Sequence, residues 1–300
     1  MNVAALDQRL RGELHLDEPM SRHTTWRVGG PADRFYRPAD RDDLAQFLRQ
    51  LPADEPLYWC GLGSNLLVRD GGLRGSVIFL HPGIAEIVLT DDGGLWADAG
   101  AACAKVARFA ARNDLAGAEF LAGIPGTMGG ALAMNAGAFG GETWGCVAAV
   151  ETVDRQGVLR QRTPDDFAVG YRSVEGAAGE WFTACLLRLE AGDGEMGLRR
   201  IRQLLAQRAE TQPIGKPSCG SVFRNPPADH AARLIEAAGL KGRVIGGAQV
   251  SDKHANFILN RGNATAADIE ALATEVAERV EQRFGVRLQR EFRIIGEDKS

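Results

Sequence analysis

The sequence predicts an α+β protein made of two or three structural units. The chain has 300 residues, of which 45% are hydrophobic, so it can bury more than one small core. Segments with helical periodicity occur near both ends of the chain. The middle is instead rich in short apolar runs that are typical of strands.

The region up to about residue 82 predicts a small unit of helix and strand. Asp40 is a candidate N-cap for the helix "DRDDLAQFLRQL". This helix places four apolar residues on one face: Leu44, Phe47, Leu48 and Leu51. The segments "PLYWCGLGSNLLV" and "GSVIFL" follow, and they are typical of short buried strands around a glycine turn.

Predicted strands outnumber helices between residues 83 and 190. "IAEIVL" and "LWADAG" predict strands, "AACAKVARFAARND" predicts a helix, and "VAAVETVDRQGVLRQ" predicts a hairpin that turns near Gln156 and Gly157. A polar helix, "GLRRIRQLLAQRAETQP", then leads into a third region and ends at Pro213.

The third region combines helices with strands. A glycine ends the predicted helix in "HAARLIEAAGLKG", and "HANFILN" predicts a strand. Residues 265–285 predict a long amphipathic helix. The last segment, "VRLQREFRII", alternates as a strand does.

Composition and charge exclude several classes of partner. The net charge is -4 with no basic stripe, which argues against nucleic acid. The five cysteines form no Cys-x-x-Cys pair and predict free thiols in a reducing compartment. No stretch has the apolar character of a signal peptide or a membrane span, so the sequence predicts a cytoplasmic protein that does not enter a membrane.

The richest glycine segment, residues 123–142, is a candidate nucleotide-binding loop. Backbone N–H groups in such loops bind anions, and small residues let a diphosphate approach the main chain. Tight turns and close packing explain the same glycines equally well. Two familiar motifs are excluded, because Gly61-x-Gly63 lacks the third glycine of a dinucleotide fingerprint and the chain contains no P-loop spacing.

Seven segments, in this order, resemble the UDP-N-acetylenolpyruvoylglucosamine reductase family. They run from residue 23 to residue 260, and the resemblance extends to about residue 296. The segments are "HTTWRVGGPAD", "GLGSNLLV", "GIPGTMGGALAMNAGAFG", "GYRS", "CGSVFRNP", "LIEAAGLKG" and "IGGAQVSDKHANFILN".

The resemblance implies a flavoenzyme of bacterial cell-wall synthesis. NADPH would reduce non-covalently bound FAD, and the flavin would reduce UDP-N-acetylglucosamine enolpyruvate to UDP-N-acetylmuramate. It also implies an FAD-binding domain of the vanillyl-alcohol oxidase and p-cresol methylhydroxylase type, followed by a C-terminal α/β substrate domain. The expected division is two FAD-binding subdomains, 1–82 and 83–195, and a substrate domain, 196–285, with residues 286–300 returning to the first subdomain or to the active site.

The same resemblance assigns flavin neighbours to two loops. They are Gly61, Gly63, Ser64, Asn65, Leu66, Gly123, Ile124, Pro125, Gly126, Thr127, Gly129, Gly130, Asn135 and Ala138.

Three residues match the family's catalytic positions. Arg172, in "GYRS", is suited to a substrate carboxylate because a guanidinium donates two parallel hydrogen bonds. Glu291 shares a strand face with Arg293, which in most proteins is only a surface ion pair, and the resemblance instead makes it an active-site acid. Ser221 matches the family's proton donor.

Cys219 competes with Ser221 because a thiol is the stronger acid. Ser221 has no nucleophile elbow and no base that spacing can assign, so it is not expected to act as a nucleophile. An enolate carbon is basic enough to take a proton from a well-placed hydroxyl. A lone cysteine is more often buried and inert, and we therefore prefer Ser221.

Further residues are candidates for substrate binding, each with a structural alternative. Tyr171 contacts substrate or packs as a core tyrosine. Four residues with positive or amide side chains are candidates to bind a uridine diphosphate, and the alternative is that they are ordinary surface residues. They are Lys216, Arg224, Asn225 and Lys241. Lys253 and His254 are predicted either to have a structural role or to lie next to the substrate.

The segment "SVEGAAGEWFTACLLRLE" is too short for the tyrosine-bearing loop that some family members insert here, so the chain resembles the shorter subgroup. Two other functions stay open at this point. One is an oxidase or dehydrogenase on the same flavin fold, and the other is a nucleotide-binding protein without turnover. We expect a monomer that acts on UDP-N-acetylglucosamine enolpyruvate and NADPH.

Overall fold

The computed structural model describes residues 10–299 and confirms the α+β class. No helix in this range is long and apolar enough to cross a membrane. The α-helices are α1 (Arg41–Gln50), α2 (Cys103–Arg112), α3 (Met128–Ala133), α4 (Gly194–Thr211), α5 (Ala231–Ala237) and α6 (Ala266–Phe284).

The strands of the same range are short, and most lie between the first and fourth helices. They are β1 (Glu13–Pro19), β2 (Pro31–Arg37), β3 (Leu57–Cys60), β4 (Leu66–Val68), β5 (Leu73–Phe79), β6 (Ile87–Leu89), β7 (Leu95–Asp98), β8 (Leu115–Ala116), β9 (Gly137–Ala138), β10 (Gly141–Glu142), β11 (Val147–Asp154), β12 (Leu159–Arg162), β13 (Ala168–Gly170), β14 (Ser173–Glu175), β15 (Glu180–Leu187), β16 (Glu190–Ala191), β17 (Val244–Ile245), β18 (Ala248–Val250), β19 (Ile258–Asn260) and β20 (Arg293–Ile295).

The chain forms two compact units, each made of separate stretches of sequence. Within the described residues, unit 1 consists of 10–15, Arg34–Gly61 and Gly75–Gln207. Unit 2 consists of Leu16–Asp33, Leu62–Arg74 and 208–299. The division into subdomains 1–82 and 83–195 and a substrate domain stays a prediction.

Unit 1 contains a sheet with the strand order β12-β11-β15-β7-β6. It also contains β3, which pairs in parallel with β5 in a second sheet. The first sheet shares a core with α2 and α3, in which Leu95, Val106, Leu132 and Leu187 are fully buried. Strands β11 and β12 form the hairpin predicted around Gly157, which has a φ of 70° that favours glycine.

Helix α1 covers the second sheet as its sequence predicts. The Asp40 side chain accepts a hydrogen bond from the Asp43 N–H and so caps the helix. The apolar face of α1 packs on Tyr36, whose ring stacks on Phe47 at 3.9 Å between centroids. Burial of this face, rather than helix propensity, holds the short helix in place.

A buried ion cluster joins α1 to the first sheet. Arg41, the first residue of α1, pairs with Asp98, and its Nε donates to Glu151 Oε1 at 2.7 Å. Asp98 is 2% exposed and also accepts from Trp96 Nε1 and from the Glu86 N–H. Because each carboxylate is paired and hydrogen-bonded, removing the arginine would leave two poorly solvated negative charges.

Unit 2 surrounds the long helix α6. A capping box starts this helix, in which Thr265 and Asp268 bond each other's backbone, and Gly285 ends it at a φ of 69°. Its apolar face packs on the sheet β17-β18-β19. Trp26 completes this core, and its Nε1 donates to the Ile258 carbonyl at 2.8 Å.

The last strand is shorter than its alternation predicts. Only Arg293–Ile295 forms a strand, β20, which pairs in parallel with β4. The preceding backbone bonds instead to residues 222–224 through a single bridge, Phe223 with Arg290. The predicted alternation of buried and exposed side chains is observed, because Phe292 is 4% exposed and Arg293 is exposed.

We expect Arg41→Met to lower the free energy of unfolding by about 3 kcal/mol, the cost of leaving buried carboxylates without a partner. Urea denaturation followed by tryptophan fluorescence measures this loss. The matched control is Arg188→Met, since Arg188 pairs with Asp92 on the surface and should contribute little. Equal losses in the two variants would contradict the role assigned to the cluster.

Candidate functional site

In unit 1, the two loops predicted to share a cofactor touch each other. Thr127 caps α3 and is 2% exposed, and its Oγ1 lies 3.5 Å from the Gly130 N–H. A Cβ on Gly61 would lie 2.5 Å from this same Oγ1. Glycine is therefore required at position 61 for the close approach of the two loops.

The N-terminus of α3 is largely occupied by protein acceptors. The Met128 and Gly129 N–H groups each donate at 2.8 Å, to the carbonyls of Ala101 and Ala99. A Cβ on Gly129 would also lie 3.0 Å from Ala99 Cβ, so this glycine serves close packing. Gly130 differs, because a Cβ there would meet nothing nearer than 3.8 Å. The segment thus combines a packing glycine with one that leaves space beside it.

Asn135 supports the turn that carries Arg172. It is 2% exposed, and its Nδ2 donates to the Gly170 carbonyl at 3.1 Å and to Glu142 at 3.0 Å. Its Oδ1 accepts from the Trp144 N–H. The side chain predicted to contact flavin is therefore used in joining α3 to the β13–β14 turn.

Arg172 lies in the β13–β14 turn with a φ of 54°, which is unusual for a residue other than glycine. Its Nη2 donates to the Gly137 carbonyl at 2.9 Å, and its Nη1 donates to the Asn135 carbonyl at 3.2 Å. Tyr171 is 52% exposed, so the core alternative for this tyrosine is wrong. The Arg172 guanidinium lies 5.3 Å from the centre of the Tyr171 ring.

Ala138 and Gly123 are also brought together in unit 1. Ala138 lies in β9, and its Cβ would be 3.0 Å from a Cβ on Gly123. Phe139 lies still closer to that position, at 2.4 Å. Of the intervening predicted neighbours, Ile124 and Gly126 are buried, whereas Pro125 is exposed.

In unit 2, the loop containing Gly63, Ser64, Asn65 and Leu66 is tied to the segment of Glu291. Asn65 Nδ2 donates to the Glu291 carbonyl at 3.2 Å, and the Arg293 N–H donates to the Asn65 carbonyl at 3.0 Å. Gly63 has a φ of 62°, and a Cβ there would lie 2.0 Å from the His23 carbonyl oxygen. The loop is therefore fixed on both sides by backbone contacts.

Ser221 and Glu291 belong to directly bonded segments of unit 2. The Glu291 N–H donates to the Val222 carbonyl at 2.8 Å, and the Arg224 N–H donates to the Gln289 carbonyl at 2.9 Å. Ser221 is partly exposed, next to buried Val222. The two residues assigned as proton donor and acid are thus placed by one short stretch of backbone pairing.

Cys219 is a core residue of unit 2. It is 6% exposed and packs in the cluster that contains Val222 and Phe292. Burial raises the pKa of its thiol well above the usual value, and the charge of Glu291 raises it further. The packing interpretation is favoured, because a buried thiol of raised pKa stays protonated and is less acidic than a free cysteine.

The predicted substrate-binding residues of unit 2 are dispersed over three segments. Lys216 is exposed in a turn before the Ser221 segment. Asn225 Oδ1 accepts from the Ala231 N–H at 3.1 Å and so caps α5. Lys241 pairs with Glu236 at 2.7 Å. Arg224 is partly exposed and lies three residues after Ser221.

His254 and Lys253 have structural contacts. Burial and the nearby Lys241 charge lower the pKa of His254, which favours the neutral ring. Its Nδ1 accepts from the Asn256 N–H at 3.3 Å. Lys253 Nζ donates to the Ala209 carbonyl.

Comparison with known proteins covers nearly the whole chain. An FAD binding domain matches residues 32–162, and the C-terminal domain of UDP-N-acetylenolpyruvoylglucosamine reductase matches residues 212–295. The reductase of Alkalilimnicola ehrlichii is 62% identical over 99% of this chain and 100% of its own length. That of Methylococcus capsulatus is 61% identical over 96% of this chain and 94% of its own. The chain belongs to the UDP-N-acetylenolpyruvoylglucosamine reductase family.

Solved structures agree with this assignment. The family member from Thermus caldophilus aligns with a TM-score of 0.81 and 34% identity over 95% of this chain and 98% of its own. A 6-hydroxy-D-nicotine oxidase from Arthrobacter nicotinovorans aligns with a TM-score of 0.56 over 96% of this chain and 89% of its own. At 12% identity, this second likeness extends to the fold alone. The vanillyl-alcohol oxidase type of flavin fold is confirmed.

Two residues that support the candidate site of the present protein were not predicted from its sequence. Asn256 bonds to the backbone beside Ser221, and Thr25 donates its N–H to the Gly63 carbonyl at 3.2 Å. Both lie inside segments that carry the family resemblance, "SDKHANFILN" and "HTTWRVGGPAD". An asparagine within an apolar run was the available signal, since such a residue is usually hydrogen-bonded when buried.

We expect Gly61→Ala to weaken FAD binding by roughly tenfold, because a methyl group would overpack against Thr127 at a cost of about 1–3 kcal/mol. Flavin fluorescence titration of the apoprotein measures the affinity. Gly145→Ala is the control, since a Cβ there meets nothing within 4 Å. Wild-type affinity in Gly61→Ala would refute this use of the glycine.

Proposed function

We propose that this protein is an FAD-dependent reductase that converts UDP-N-acetylglucosamine enolpyruvate to UDP-N-acetylmuramate, with NADPH as the reductant. The observation that carries the proposal is 62% identity to a reductase of this family over 99% of the chain. The match of residues 32–162 to an FAD binding domain supports the flavin. The product is a precursor of peptidoglycan, so the reaction belongs to cell-wall synthesis.

The residues of the two glycine loops fit a flavin nucleotide. A Cβ on Gly130 would meet nothing nearer than 3.8 Å, so a diphosphate would have room to approach the main chain there, and Ser64 and Thr127 carry hydroxyl groups. These loops, with Ile124, Pro125 and Ala138, would hold FAD. When bound, FAD supplies the transfer of a hydride from a nicotinamide to an alkene carbon.

Arg172 would bind the carboxylate of the enolpyruvyl group. Its two carbonyl partners, Asn135 and Gly137, hold the guanidinium in place before substrate arrives. A positioned guanidinium stabilises negative charge as the enolate forms, and it needs no reorganisation at that moment. Tyr171, exposed beside it, would cover the substrate.

Ser221 would donate the proton that completes the reduction, and Glu291 would help to stabilise the enolate in its protonated form, as a hydrogen-bond donor, because an ionised carboxylate would repel the enolate charge. The backbone bond between Glu291 and Val222 supports joint action of the two residues, because it fixes the spacing of their main chains. A serine hydroxyl is weakly acidic, so its position has to supply most of the effect. Lys216, Arg224, Asn225 and Lys241 remain candidates for the uridine diphosphate.

Two finer statements belong to the same proposal. We propose a cytoplasmic location, where the enzyme would support cell division and cell shape through its product, and a monomeric state. The acidic net charge of -4 agrees with a small anionic substrate that is bound at local positive groups rather than over a basic surface.

We expect the purified protein to be yellow and to sustain steady-state oxidation of NADPH only when UDP-N-acetylglucosamine enolpyruvate is present. Absorbance near 450 nm reports bound flavin, as is usual for oxidised flavins, and NADPH consumption reports turnover. A colourless protein that binds no added FAD would overturn the proposal. NADPH consumption or alcohol oxidation independent of the enolpyruvyl substrate would favour another flavin oxidase instead.

We expect Ser221→Ala to slow reduction of the enolpyruvyl substrate by at least ~10²-fold, the low end for loss of a positioned acid. Stopped-flow measurement should show that NADPH still reduces the flavin at the wild-type rate. Cys219→Ala is the matched control, because Cys219 is a core residue two positions away. The assignment of the proton donor fails if Cys219→Ala is the slow variant, or if Ser221→Ala turns over normally.

A further inference from the structure

Asn256 makes an unusual set of contacts with the Ser221 segment. Its Oδ1 accepts from the Phe223 N–H at 3.0 Å, and its Nδ2 donates to the Phe223 carbonyl at 2.8 Å. Its own carbonyl accepts from the Val222 N–H at 2.9 Å. One residue therefore makes three hydrogen bonds to the two residues that follow Ser221.

The chemistry of asparagine suits this arrangement. A side-chain amide carries the same donor and acceptor as a peptide group, so Asn256 pairs with Phe223 as a neighbouring strand would. Asn256 is 3% exposed and Phe223 is 2% exposed. Loss of either bond would leave a buried backbone group without a partner, which costs about 1–3 kcal/mol.

The residue directly before Ser221 restrains the serine less than the residues that follow it. Gly220 has a φ of 83°, and a Cβ there would meet nothing within 4 Å. Glycine allows a wide range of backbone conformations, so the contacts that follow Ser221 contribute to its orientation. Those contacts are the bonds from Asn256 and the bond from Glu291 to Val222.

We propose that Asn256 is the positioning residue of Ser221, holding the Val222–Phe223 backbone so that the serine hydroxyl is presented to the substrate carbon. This inference rests on the proposed function, since it gives Asn256 a role in proton donation. Asn256 acts through the backbone and touches neither reacting atom. Misplacement of a reacting group by about 1 Å can cost on the order of 10²-fold in rate.

The test uses the flavin-loaded full-length protein and Asn256→Asp, which keeps the size of the side chain but replaces the donor to the Phe223 carbonyl by an acceptor. We expect reoxidation of the reduced flavin by UDP-N-acetylglucosamine enolpyruvate to slow by about 10- to 100-fold. Reduction of the flavin by NADPH should keep its wild-type rate. The solvent deuterium isotope effect on reoxidation should rise, because proton donation becomes slower relative to the other steps.

Asn260→Asp is the matched control for general damage. Asn260 is a buried asparagine of the same segment, whose Nδ2 donates to the Trp26 carbonyl and whose Oδ1 accepts from the Gly262 and Ala264 N–H groups. We expect it to lose stability comparably while reoxidation stays within about threefold of wild type, since its side-chain bonds go to Trp26, Gly262 and Ala264 and not to the Val222–Phe223 backbone. Equal slowing in both variants would overturn the proposal.

A double-mutant cycle separates action through Ser221 from any other effect. If Asn256 works by placing Ser221, adding Asn256→Asp to Ser221→Ala should slow reoxidation little further, so that the two effects are strongly non-additive. Additive effects would overturn the proposal, even if Asn256→Asp alone is slow.

Hydrogen exchange gives a readout that needs no turnover. The Val222 and Phe223 amides should exchange at least about tenfold faster in Asn256→Ser, whose shorter side chain removes both the acceptor of the Phe223 N–H and the donor to the Phe223 carbonyl, while the α6 amides are unchanged. Unchanged exchange at both amides would overturn the proposal. If the wild-type protein does not reduce the enolpyruvyl substrate at all, the proposed function fails, and exchange alone then decides whether Asn256 fixes this backbone.

Discussion

The hydrogen bond from the Glu291 N–H to the Val222 carbonyl is the interaction on which the arrangement of the candidate site residues in unit 2 depends. It joins residues that are far apart in sequence and places one segment beside another that carries Ser221. Asn65 extends the same arrangement, because its side chain donates to the Glu291 carbonyl. The glycine loop, the acid and the serine are therefore ordered by backbone groups, whose geometry varies less than that of side chains.

Close packing and binding place different demands on the glycines. Gly61 and Gly63 are required because a Cβ would collide with Thr127 or with the His23 carbonyl. Gly129 packs closely on Ala99, since a Cβ there would lie 3.0 Å from the alanine Cβ. Spacing alone cannot separate these cases, since every such glycine satisfies the same need for a small residue. The family resemblance was needed to favour a flavin over simple packing.

Much of the fold was predictable because its signals are local. Asp40 and Gly285 mark helix ends that are observed, and the apolar faces of α1 and α6 follow from their periodicity. The final strand is shorter than predicted, because the residues before Arg293 bond to a segment that is remote in sequence and do not continue the pairing with a neighbouring strand. The partners of Asn65 and Asn256 were not predictable, since they depend on which backbone each amide meets after folding.

The choice between Cys219 and Ser221 shows why acidity in water is a poor guide to a proton donor. A free thiol is far more acidic than a hydroxyl, and by that measure Cys219 is the better acid. Its position reverses the order, because burial and the Glu291 charge both disfavour the thiolate that donation would leave behind. Ser221 is partly exposed, and its backbone is held by Asn256 and Glu291 through their bonds to Val222 and Phe223. For so weak an acid, we therefore attribute the expected donation chiefly to the rigidity of the two residues that follow it.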